Sequence, residues 1–144
     1  MAADKLRLRI MTPDRTKLEE SVEMVILRCV TGDMGILAHH ENCSLVLDEG
    51  VLRMVTDGVE RRMAIYGGVA HMVDNVLTVL ANGAQWPEDI DRAKAEAERD
   101  RAERLMRESS DKLEMQKNQI LVRRALVQIE VSAYPLITKQ DRGG

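Results

Sequence analysis

Ala81-Asn-Gly-Ala-Gln-Trp-Pro-Glu-Asp-Ile-Asp-Arg-Ala-Lys-Ala95 is the stretch on which the fold turns. Before it, apolar and polar residues alternate with a period of two, as in half-buried strands. After it, apolar residues recur at helical spacing. The pattern predicts an α+β chain: an N-terminal antiparallel β-sandwich over residues 1–86, then a C-terminal antiparallel two-helix hairpin over residues 87–144. The same stretch also carries the best candidate for a ligand site.

Working back toward the N-terminus, Leu6-Arg-Leu-Arg-Ile10 alternates strictly and reads as a strand. Pro13-Asp14 makes a turn. Val22 to Val30 is a longer run with β-branched residues and reads as a central strand, broken by Thr31-Gly-Asp-Met-Gly35. Ser44 to Leu47 and Val51 to Thr56 read as two strands divided by Asp48-Glu-Gly50. Asp57-Gly58 is a hairpin signal. Gly67-Gly68 divides a strand ending at Tyr66 from one over Val69 to Val73. Asp74-Asn75 turns into Val76 to Ala81. Short strands joined by turn residues at regular spacing indicate an all-β sandwich or barrel.

Working forward, Pro87 suits a first helical turn, and Glu88, Asp89 and Asp91 complement a positive helix start. Ile90, Ala93, Ala97 and Leu105 fall on one face, interrupted by Arg101. Asp100 with Arg104 and Glu103 with Arg107 are spaced as supportive pairs. Ser109-Ser-Asp111 breaks the helix, and Asp111 with Glu114 resembles a capping box for the next. Val122, Leu126 and Ile129 form its apolar stripe, flanked by Ala125 and Ala133. Tyr134-Pro135 stops it, and Lys139 to Gly144 is expected to fray. Such a hairpin has a weak apolar seam and needs a surface to lie on. When two surfaces compete within a few kcal/mol, a ligand or partner decides between them.

The 144 residues fit one domain or two small ones, and 44% hydrophobic with 31% charged is a globular composition. Aromatics make up 2%, with no Phe, so nine Met join Leu, Ile and Val in filling the core. Stacking on single-stranded nucleic acid needs exposed rings, and a net charge of −3 collects no phosphate backbones. All of that charge lies in residues 1–86, which carry 9 basic and 12 acidic side chains. No apolar run is long enough to span a membrane, and Met1-Ala-Ala-Asp-Lys5 lacks a signal-peptide segment. Cys29 and Cys43 form no metal or redox spacing and read as small buried thiols of a reducing cytoplasm. His39-His40-Glu41 is a poor metal site, because adjacent side chains on extended backbone point apart. No Walker-type loop and no nucleophile constellation is present.

Several motifs, in order and at matching spacing, resemble the epsilon subunit of bacterial F-type rotary ATP synthases. They are Gly32-Asp-Met-Gly-Ile-Leu37 followed by His40, Gly50-Val-Leu52, Gly67-Gly68 through Asn75, Leu77-Thr-Val-Leu-Ala81, and Glu88-Asp-Ile-Asp91. The resemblance covers nearly the whole chain. It departs at Ala38-His39, where Pro-Gly is usual, and at Asn42, where Pro is usual.

The resemblance implies a non-catalytic central-stalk rotor subunit. It implies a sandwich that binds the gamma subunit and sits on the c-ring, through Asp33, Met34 and His40. It implies helices that fold against the sandwich or extend toward the alpha and beta subunits and inhibit ATP hydrolysis. Lys117, Arg123 and Arg124 are then the candidates for pairing with acids of beta. Membrane association would come only through the complex, at the cytoplasmic face of the bacterial cell membrane. No cofactor is required, but ATP is a possible regulatory ligand. The family's Ile-Asp-x-x-Arg-Ala motif is matched by Ile90, Asp91, Lys94 and Ala95, with Arg101 and Arg124 as further basic groups. Lys94 stands where Arg is usual, Gln85 where a carboxylate is usual, and Gln128 where a further Arg is usual. Lys94 and Arg101 are seven residues apart, about 10.5 Å along one helix face, which suits a polyphosphate. Lys supplies charge there but no bidentate fork. A free-standing nucleotide-sensing module and a ligand-free hairpin adaptor are the competing readings.

Overall fold

A computed structural model of the chain describes residues 4–133. The expected stop at Tyr134-Pro135 and the tail from Lys139 lie outside the described residues. Eight strands precede two helices: β1 (Leu6–Met11), β2 (Thr16–Val22), β3 (Met24–Cys29), β4 (Gly32–Leu37), β5 (Cys43–Thr56), β6 (Val59–Val73), β7 (Val76–Ala81) and β8 (Ala84–Gln85). A 3-10 turn over Pro87–Asp89 leads to α1 (Arg92–Glu108) and α2 (Lys112–Ser132).

The strands pair in the order β2-β1-β7-β6-β5-β3-β4, with β8 on β6. Every ladder is antiparallel except β1 with β7. No local pattern announces that pair, because it joins the first strand to one from a distant hairpin. The sheet closes over itself because β5 and β6 are long enough to serve both layers. They are single strands, although their sequence reads as two strands each. Asp48-Glu-Gly50 and Gly67-Gly68 do not end pairing; they change which side chains face inward. On β5 the buried positions pass from Leu47 to Gly50, Leu52 and Met54. Gly67 and Gly68 have φ of 81° and 134°, which only glycine adopts without strain. At Gly50 the Cβ and Cγ of Arg28 fill the space that a side chain would need.

Other boundaries also differ from the sequence pattern. Val22 ends β2, a strand that the alternation did not single out, and β3 begins at Met24. Gly32 to Gly35 is not a break but the first part of β4, paired with β3 from Cys29↔Gly32 to Met24↔Leu37.

One apolar core lies between the layers. Leu6, Leu8, Ile10, Val25, Leu27, Ile36, Leu52, Met54, Met63, Met72, Leu77 and Val79 are wholly buried in it. Each such side chain stabilises the fold by roughly 1.5–3 kcal/mol. Cys29 is buried in this core, whereas Cys43 is half-buried at its margin; both are free thiols.

The helices begin later than Pro87 implies. Ile90 is extended (φ −97°, ψ 127°). Asp91 then caps α1, its carboxylate accepting from Lys94 N at 3.1 Å. Asp111 caps α2 by accepting from Leu113 N at 3.0 Å. The buried line of α1 is Ala95 and Ala102, not Ala93, Ala97 and Leu105, which are exposed. Alanines around the helix permit several periodic readings, and the approach of α2 selects one. The ion pairs of α1 are Arg92–Glu96 and Arg99–Asp100, not the expected Asp100–Arg104 and Glu103–Arg107. On α2, Asn118, Ala125, Val127 and Val131 are buried, while Leu126 is 47% exposed. A single stripe misreads α2, because it packs on α1 and on the sheet with different faces.

Candidate functional site: the seat of the hairpin on the sandwich

α2 lies on the outer face of β5 and β6. Val127 and Val131 pack there on Ala64 and Tyr66, flanked by Val51 and Ile90. This cluster is separate from the core between the layers. The extended backbone at Ile90 delivers its side chain to the seat before α1 begins.

Polar groups frame the two valines. The change of face at Asp48 and Glu49 lets two consecutive carboxylates meet α2. Arg123 Nη2 stands 2.7 Å from Asp48 Oδ2, and Arg124 Nη2 stands 3.2 Å from Glu49 Oε1. Asp48 is further fixed by accepting from Glu49 N at 2.9 Å. The Arg124 guanidinium also lies over the Tyr66 ring, 4.7 Å from its centroid, a cation–π arrangement. The Tyr66 hydroxyl donates to Gln85 Oε1, which also accepts from Gln128 Nε2 at 3.2 Å. Burial pushes the Tyr66 phenol above its ordinary pKa, with the neighbouring Glu49 charge acting in the same direction. The neighbouring Gln128 amide and the Arg124 charge oppose that shift. Glu49 Oε2 is buried and has no hydrogen-bond partner, so Arg124 is the cation that balances this carboxylate.

The structure distributes the expected nucleotide residues. Ile90 and Arg124 meet in the seat, beside Gln85 and Gln128. Asp91 caps α1, and Ala95 is buried. Lys94 and Arg101 are exposed on α1, and among the described residues neither makes an ion pair. Arg124 is already engaged by Glu49 and Tyr66.

The expected gamma and c-ring residues do not form one cluster. Asp33 is the second residue of β4 and pairs with Arg28 at 3.3 Å. Met34 is half-buried against the core. His40 lies beyond the far end of β4, its Nδ1 2.8 Å from Glu41 O. Four residues of strand from Asp33 to Leu37 already span about 13 Å. Among the inhibitory candidates, Arg123 and Arg124 sit in the seat, whereas Lys117 is exposed about two turns earlier on α2.

Sequence reasoning did not assign Asp48, Glu49 or Tyr66 to any site. Their partners are 75 residues away in the case of the carboxylates, so no local spacing reveals them. The available signal was a pair of adjacent acids inside a strand pattern, read instead as a turn.

A β-sandwich with its own core, carrying a C-terminal helical hairpin on a small separate seat, defines the class of two-part α+β chain to which this protein belongs. The family description "ATP synthase, Delta/Epsilon chain, beta-sandwich domain" matches residues 5–87, and "ATP synthase, Delta/Epsilon chain, long alpha-helix domain" matches residues 88–133. The ATP synthase epsilon chain of Herpetosiphon aurantiacus is 37% identical over 127 residues, covering 88% of this chain and 93% of the relative. That of Caldicellulosiruptor bescii is 31% identical over 128 residues, covering 89% and 93%. A chain from the Euglena gracilis mitochondrial ATP synthase (OSCP/F1/c-ring) matches with a TM-score of 0.80 and 25% identity, covering 93% of this chain and 84% of that one.

The chain belongs to the ATP synthase delta/epsilon chain family. It is accordingly a non-catalytic central-stalk subunit of an ATP synthase. Among the described residues, no helix is long and apolar enough to cross a membrane.

Proposed function

We propose that the sandwich joins the gamma subunit to the c-ring at the cytoplasmic face of the bacterial cell membrane, while the hairpin regulates the direction of catalysis. Seated on the sandwich, the arm leaves ATP hydrolysis free. Extended toward alpha and beta, it presents Lys117, Arg123 and Arg124 to acidic residues of beta and stops hydrolysis. The subunit thereby serves ATP synthesis without making the bond.

The separation of the two apolar clusters supports this reading above all else. The sandwich core contains no helix residue, and the separate seat buries just two α2 valines, on Ala64 and Tyr66. On the same per-residue scale as the core, the seat is worth a few kcal/mol. That is within reach of a partner's binding energy, so α2 can leave without unfolding the sandwich.

Fixing the arm in its seat tests the proposal. Asp48→Cys and Arg123→Cys, joined by a short bis-maleimide in a Cys43→Ser background, should raise ATP hydrolysis by the assembled enzyme relative to the unlinked control. Hydrolysis that stays equally inhibited would rule out the moving arm.

ATP is proposed as a ligand of the seated form. It would take Arg124 from Glu49 and gather Lys94 and Arg101 beside it. Calorimetry at millimolar ATP, repeated with Lys94→Ala and Arg101→Ala, tests this; absence of heat in the unmodified protein removes ATP from the account.

A further inference from the structure

Two consecutive arginines on α2 meet two consecutive carboxylates on β5, and no other ion pair joins the described helices to the sandwich. The apolar part of the seat is small, so this double pair weighs heavily in whether α2 stays down. Asp48 and Glu49 are inward enough to hold their partners, with side chains 30% and 14% exposed. Arg123 and Arg124 are more open, at 56% and 45%. The arginines can therefore be approached by a competing anion while still paired. Tyr66 gives Arg124 a second anchor, and Gln85–Gln128 adds an uncharged link that ionic strength does not screen.

We propose that Asp48 and Glu49 are an internal competitor, a decoy carboxylate pair that occupies Arg123 and Arg124 and so sets how readily the arm reaches its inhibitory position. This rests on the arm's inhibitory role proposed above and adds its regulation. Release of the arm is an exchange of ion pairs. The sandwich gives up two arginines, a partner bearing carboxylates takes them, and Glu49 regains water around its unpartnered Oε2. The set point lies in the sandwich, in two side chains of β5 that pair with α2.

The physical scale fits a switch. Exposed ion pairs contribute little singly, and a doubled, partly sheltered pair with cation–π support contributes more. Neutralising both acids should shift the ratio of released to seated arm on the order of tenfold. Salt should act in the same direction on the unmodified protein and weakly on the neutralised one, because the screened charges are then already gone.

The test uses the full chain with Asp48→Asn and Glu49→Gln, substitutions that keep side-chain volume. Spin labels at Ser21→Cys and Ser110→Cys, in a Cys43→Ser background, report the distance between sandwich and hairpin tip. The expected result is a larger released fraction at low salt and stronger inhibition of ATP hydrolysis once the variant is assembled into the complex. A double exchange, Asp48→Arg with Arg123→Asp, should reseat the arm while weakening inhibition. If the distance distribution of the neutralised variant matches the unmodified protein, the competition is refuted, whereas the inhibitory arm still stands on the cross-link result. If the arm releases but hydrolysis does not fall, the carboxylates hold the arm down as proposed, and it is the inhibitory role of the released arm that is refuted.

Discussion

The guanidinium of Arg124 lies 4.7 Å above the ring of Tyr66, and this ring is also the floor on which Val127 and Val131 rest. A strand residue, an ionic contact and an apolar contact thus meet at one side chain. Tyr66 should therefore report on the state of the arm.

Burial raises the Tyr66 phenol above the ordinary value of 10.0, because the folded environment favours the neutral form. The sign follows from proton linkage. The folded state binds this proton more tightly than the unfolded chain does. Its stabilising contribution is complete below pH 10 and is lost as pH rises through the folded pKa. The expected observation is a phenolate absorbance with a midpoint above 10 in the difference between the unmodified protein and Tyr66→Phe. That difference isolates it from Tyr134, the chain's other tyrosine. Loss of the sandwich-to-hairpin distance signal should accompany the transition. A midpoint at or below 10 would mean that the ring is not covered by α2.

Gly50 is required by a close approach rather than by an unusual backbone angle. A Cβ at this position would meet the Cβ and Cγ of Arg28 on the neighbouring strand. Gly50→Ala should destabilise the sandwich by about 1–3 kcal/mol, the usual cost of forcing extra atoms into packed space. A urea midpoint measures it. Arg28→Ala should not rescue the variant, since the Arg28 Cβ itself obstructs. Rescue would mean that the flexible end of Arg28 is the obstacle.

The sequence made the two-part plan visible because the change of period at Trp86 and Pro87 is sharp. It also marked Asp111 as a cap, since capping is decided within three residues. It misplaced what depends on distant chain. Asp48-Glu-Gly50 looks like a turn, because acids and glycine favour turns locally. The ladder to β6 carries the strand through them instead, pairing Glu49 with Tyr66 and Gly50 with Ile65. The buried face of α1 was ambiguous because alanine offers too little area to fix a phase. The seat was hidden for a related reason. Arg124 and Glu49 are paired across 75 residues, so the match exists only after folding.

The two helix caps offer a direct measure of how independent the sandwich is. Asp91 and Asp111 each satisfy one backbone N–H in the first turn of a helix. Replacing such a cap by Ala costs typically about 1 kcal/mol, within roughly 0.5–2. That cost falls on the hairpin, whose seam is alanine-rich and whose seat on the sheet buries two valines. It does not fall on Leu8, Leu52 or Met63, whose surroundings contain no helix residue. Hydrogen exchange of Asp111→Ala should therefore show faster exchange for α2 amides, about fivefold for 1 kcal/mol, with β1 and β6 amides unchanged. Asp91→Ala should loosen α1 and, through Ile90, the edge of the seat as well. Equal acceleration in strands and helices would mean that the whole chain opens as one unit. In that case α2 could not leave its seat without unfolding the sandwich, and an arm that moves on a standing foot would be physically excluded.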